Sequence, residues 1–103
     1  MIDSFETTLL EVLGLVADFD PEYAQWSCKL STGSLRLDLI YSLDGTVSTS
    51  LYLDDRLLAF NYATGLQSLS ITRGEIFCDI VSGVLNRTLR IDTKELKVTW
   101  QDC

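Results

Sequence analysis

The chain has 103 residues, 47% hydrophobic and 22% charged, with six glycines and one proline, the profile of one folded domain and not of a disordered segment. Fifteen acids against eight bases leave a net charge of −7, and no apolar run reaches the ~20 residues of a membrane helix. Histidine is absent, which removes the commonest general base and metal ligand and every Ser–His or Cys–His catalytic pair.

The opening Asp3-Ser4-Phe5-Glu6 reads as a helix start, with Asp3 as cap and Glu6 as its capping-box partner. Leu9, Leu10, Leu13, Val16 and Ala17 recur at helical spacing, and Phe19 with Pro21 marks the exit. The expected helix covers residues 4–17. An acidic N-terminus is unlike a secretory signal, and the address expected is cytoplasmic.

Over residues 22–101 the period changes to two. Ala24, Trp26, Cys28 and Leu30 form one face of the first strand; Leu35, Leu37, Leu39, Tyr41 and Leu43 form one face of the next. Asp44-Gly45 is a hairpin signal before Val47–Leu53. Asp54-Asp55 turns the chain into Arg56–Tyr62, and Thr64-Gly65 is read as the turn into Leu66–Thr72. Arg73-Gly74, Gly83 and Asp92-Thr93 separate the remaining strands, Glu75–Ser82, Val84–Ile91 and Glu95–Gln101.

The expected fold is a single α+β domain, an N-terminal helix packed on an antiparallel β-meander of seven or eight strands. A helix about 21 Å long cannot cover a flat sheet more than ~30 Å wide. The sheet is therefore expected to curl strongly, to close into a barrel, or to bury a face against another chain. Leu57-Leu58-Ala59-Phe60 and Ile76-Phe77-Cys78, apolar on both faces, suggest that part of the second face is covered.

Three cysteines, far apart, make no disulfide framework and no zinc spacing. Cys28 and Cys78 lie on apolar strand faces and are expected in the core; Cys103 is terminal. Asp18-Phe19-Asp20-Pro21-Glu22 opens like a calcium loop, but Tyr23 and Lys29 stand where such a loop needs glycine and glutamate. Asp38 and Asp79 are the least ordinary acids, and outward-facing or paired carboxylates explain them better than catalysis. Arg87, Arg90, Lys94 and Lys97 are interrupted by Asp92 and Glu95, too weak a basic track for nucleic acid. No phosphate loop is present and nothing implies a cofactor or a metal.

Charge is the most informative feature. Residues 1–28 hold six acids and no base. Acids near a helix N-terminus favour its dipole, but Asp18, Asp20 and Glu22, at or beyond the expected helix exit, have no such structural reason. With Glu11 they are the candidate partner-binding acids, and Tyr52 and Tyr62 are candidate aromatic anchors outside the core.

A compact acidic domain without catalytic groups suits a non-catalytic protein that covers a basic protein partner. In size, acidity and expected address the chain resembles the immunity proteins of bacterial contact-dependent growth inhibition over its whole length. That resemblance implies binding and blocking of a cognate toxin domain, often a nuclease; it rests on no motif, so no functional residue is carried over. A phage-type inhibitor of a host protein has the same character. The other readings are a small β-barrel carrier of an apolar ligand and a homodimer joined through the two-sided apolar strands. The leucine-rich inner faces speak against the carrier.

Overall fold

The structure is a computed structural model that describes residues 5–102. Helix α1 is α-helical over Phe5–Thr8 and continues as a π-helix over Leu9–Leu13. Nine strands follow: β1 Asp18–Asp20, β2 Gln25–Thr32, β3 Leu35–Ser42, β4 Thr46–Leu53, β5 Arg56–Thr64, β6 Leu66–Thr72, β7 Glu75–Ser82, β8 Leu85–Asp92 and β9 Lys97–Asp102. None of the described helices is long and apolar enough to cross a membrane.

The helix is shorter than its apolar pattern suggests. Gly14 takes a left-handed φ of 68°, its amide bonds to the Leu10 carbonyl, and the Leu15 amide returns to Leu9. This is the glycine stop common at helix ends, and it overrides the apolar spacing of Val16 and Ala17. Phe5 and Leu9 are buried, while Leu10, Val12 and Val16 are exposed, so the inward stripe is narrower than expected. Glu6 accepts a hydrogen bond from the Tyr41 hydroxyl at 3.0 Å. The cap assigned to Asp3 lies outside the described residues.

Nine antiparallel strands make two sheets, correcting the expectation of one curled or barrel-like meander of seven or eight. Sheet A runs β1-β2-β3-β4-β5 and sheet B runs β6-β7-β8-β9. The extra strand is β1, where a loop was expected. The meander breaks at Thr64-Gly65, which was read as a turn. Gly65 alone separates β5 from β6, and a hairpin loop commonly needs at least two residues. Its amide bonds to Gly45 O and its carbonyl accepts the Val81 amide, both at 2.9 Å. Gly65 has φ +91°, and a Cβ there would overlap the Val81 carbonyl oxygen. Glycine is therefore required where the chain passes from one sheet to the other.

One core fills the space between the sheets. Cys28, Leu30, Leu37, Leu39, Tyr41 and Val47 of sheet A belong to the same buried cluster as Leu66, Ile76, Cys78, Ile80, Leu89 and Ile91 of sheet B. The helix adds Phe5, edge-on to Tyr41 with ring centroids 5.5 Å apart, and Leu9. The width problem is thus solved by splitting the sheet, so that each half covers the other's apolar face.

Candidate binding surface

None of the described elements forms a layer over the outer face of sheet A, and the strand register fixes what stands on it. Opposed residues of an antiparallel pair share a face. Asp18 pairs with Ser27, Ser27 with Ile40, Ile40 with Ser48 and Ser48 with Tyr62. A second row runs Lys29, Asp38, Ser50, Phe60, and a third Ser31, Arg36, Tyr52, Leu57. Acids therefore occupy the β1 edge of this face and aromatics the β5 edge, about 19 Å apart at four strand spacings.

Four of the six residues nominated from sequence meet here: Asp18, Asp20, Tyr52 and Tyr62. Glu22 is exposed in the turn just beyond β1, and its amide donates to Asp20 Oδ1 at 2.9 Å. Glu11 is exposed on the π-helix, off this sheet. The acids of β1 do not sit at a helix C-terminus, where the apolar spacing places them. The helix ends at Leu13, so Asp18 is five residues past it and outside reach of its dipole. Phe19, expected to mark the helix exit, instead lies on β1 and packs against Trp26 at 4.7 Å between ring centroids. That contact anchors β1 and turns its two acids outward.

The aromatic end is more open than its sequence suggests. Leu57, Leu58, Phe60 and Tyr62 are each more than half exposed, so this stretch of apolar chain is uncovered, contrary to the expectation for Leu57–Phe60. A β-bulge opposite Leu51 and Tyr52 makes Leu58 the extra residue. Tyr52 is half-buried because the Arg36 guanidinium lies 4.4 Å over its ring. Arg36 also pairs with Asp38 and Asp55, each at 3.3 Å. Asp38 is accordingly an ion-pair partner. Asp79, on the outer face of sheet B, accepts hydroxyl bonds from Ser68 and Thr88 at 2.8 and 3.2 Å.

The inner side of β5 carries polar residues that sequence reading passed over. Asn61 donates to Thr49 Oγ1 at 3.3 Å and accepts from Trp100 Nε1 at 3.0 Å, joining the two sheets through one amide. Arg87, opposite Ile80 and therefore on an inner position, lies 4.2 Å over the Trp100 ring. With Tyr62, Ile80 and Leu85 they line an open groove of about 320 Å³. Nothing in the strand pattern could reveal this groove, since its walls come from two different sheets.

Both described cysteines are buried. Burial, then the carboxylate of Asp18, pushes the Cys28 thiol up to about 11. Burial, then Asp79, pushes Cys78 up to about 12. Both are neutral thiols at physiological pH, packed in the core and poor nucleophiles. Among the described residues no three acids or cysteines converge as a metal site would require.

Comparison with protein-family models and with curated proteins finds no match. Among solved structures, the fold is similar to a chain of the contact-dependent growth inhibition toxin–immunity protein complex from Klebsiella pneumoniae 342. The TM-score is 0.75 over 95% of this chain and 91% of that one, at 15% sequence identity. The resemblance first drawn from size and acidity thus has a counterpart in the fold.

Proposed function

We propose that this chain is an immunity protein, a non-catalytic binder that neutralises a cognate toxin domain by covering it. The observation that carries the reading is the whole-length fold likeness to a chain of a toxin–immunity complex. Of the two roles in such a pair, an acidic chain without histidine fits the immunity side better than the toxin side. The outer face of sheet A supports the same reading. Asp18, Asp20 and Glu22 would steer a basic partner to the β1 edge, and Tyr52 and Tyr62 would supply desolvated contact.

The test begins with the toxin-like coding region expected beside this gene. The purified chain should bind that toxin domain and inhibit it. The triple variant Asp18→Asn, Asp20→Asn, Glu22→Gln should weaken binding by about tenfold or more, with the loss greatest at low salt. Its unfolding midpoint should barely move, because the three side chains lie outside the buried core cluster and the amides keep their shape. Unchanged affinity would remove the acidic edge from the interface. Failure of the native chain to bind would sink the immunity reading itself.

A further inference from the structure

A sheet edge exposes unpaired backbone groups, and folded proteins guard such edges with charge, shortness, proline or a covering element. Three of the four edges here are guarded. β1 is three residues long and carries Asp18 and Asp20. β9 opens with the charged Lys97. β6 is packed against helix α1. The fourth edge, β5, is nine residues long, carries one charge, Arg56 at its first position, and holds no proline. Its one blunting device is the bulge at Leu58. Leu57, Leu58, Phe60 and Tyr62 are 55–58% exposed, and even the inward-side Ala59 is open to solvent.

We propose that β5 pairs antiparallel with β5 of a second copy of this chain, joining two A sheets into one ten-stranded sheet. The charge pattern selects that occupant. Two chains of net charge −7 repel, and residues 57–72 are the longest stretch of the sequence without a charged side chain. In an antiparallel pair, Asp54-Asp55-Arg56 at the start of one β5 meets the uncharged Thr64 end of the other, so like charges never face each other. The acids of β1 sit on the opposite edge of each sheet, about 19 Å from the seam. A two-fold pairing of this kind is closed and self-complementary. It leaves the outer face free, and the proposal does not depend on the immunity reading.

Sedimentation and light scattering of the native chain across concentration test this. The native chain should reach the mass of two chains, and the amides of Arg56–Thr64 that point away from β4 should gain protection from hydrogen exchange as concentration rises. The double variant Leu58→Lys, Phe60→Lys, at exposed positions outside the core, should keep its fold and run as a single chain. A native chain that stays monomeric up to about 1 mM overturns the proposal. So does a dimer that survives the double variant, since its seam then lies elsewhere. A monomeric native chain whose toxin binding is lost in the double variant overturns it too, and places the β5 end of the sheet in the toxin interface instead.

Discussion

Gly65 accepts the amide of Val81 on its own carbonyl at 2.9 Å, with its Cα so close that any side-chain carbon would overlap the Val81 carbonyl oxygen. The same glycine donates to Gly45. One residue therefore ties the β3–β4 turn, the passage between sheets and the end of β7 into a single joint.

Gly65→Ala should be the most damaging single-methyl change in the chain. It forces alanine to φ +91° and drives a carbon into backbone that cannot yield without breaking the joint. A loss of about 3 kcal/mol or more in urea unfolding is expected. Gly33→Ala is the control: its φ is +57° with nothing within 4 Å, and the cost should be only about 1 kcal/mol.

Asn61 satisfies two groups that belong to different sheets. Thr49 is 1% exposed and Trp100 is half-buried against the core, so the threonine hydroxyl has no ready water partner in exchange and the indole N–H reaches one only through the groove. Asn61→Ala should cost about 2–3 kcal/mol, chiefly by leaving the indole N–H and the threonine hydroxyl unpaired. Equilibrium unfolding measures the loss. Asn61→Asp keeps an acceptor for Trp100 and should recover part of it.

Stability should fall at alkaline pH for a reason written into the core. Cys28 and Cys78 titrate at about 11 and about 12 in the folded chain against 9.0 unperturbed. Tyr41 is also raised, by burial and then by its bond to the Glu6 carboxylate. The unfolded chain thus loses protons first, and stability present below pH 9 is lost as pH rises through the folded values. Unfolding midpoints from pH 7 to 11 should fall, and the slope should shrink in Cys28→Ala, Cys78→Ala. Thiol reagent at pH 8 should leave both cysteines unmodified until the chain unfolds.

At acid pH the sign is opposite. Asp44 is lowered by hydroxyl bonds from Ser42 and then Thr46, and Asp92 by the amides of Glu95 and then Lys94. Their contribution is present above the unperturbed 3.8 and is lost as pH falls through the lower folded values. Asp44→Asn with Asp92→Asn should flatten the acid limb of the same midpoint series.

Strand existence and facing were legible because period-two alternation reports the faces directly. Leu35, Leu37, Leu39 and Tyr41 needed no tertiary information to be placed inward. The hairpin at Asp44-Gly45 and the tight turn at Arg73-Gly74 announced themselves through Gly45 and Gly74, which take positive φ. The helix length was misjudged because apolar spacing continued past Gly14, and a glycine stop outweighs spacing. The break at Gly65 was not legible, since the strands expected at Arg56–Tyr62 and Leu66–Thr72 leave three residues between them, room enough for a hairpin turn, and only the folded chain extends β5 to Thr64.

The candidate surface divides in the same way. The acidity of the first 28 residues and the aromatic character of Tyr52 and Tyr62 are properties of the chain. That Asp18 and Tyr62 stand in one cross-strand row is a property of register, summed over four strand pairs that no local pattern specifies.

By itself, the sequence determined that this protein is a helix followed by antiparallel strands, acidic at its start and without histidine chemistry, because composition and periodicity are local. The tertiary structure decided that the strands divide into two sheets sharing one core, and which edges are left open. Those outcomes depend on Gly65 meeting Val81, and on which strand comes last in each sheet. Contacts between residues far apart in the chain set them, so they are visible only once the chain is folded.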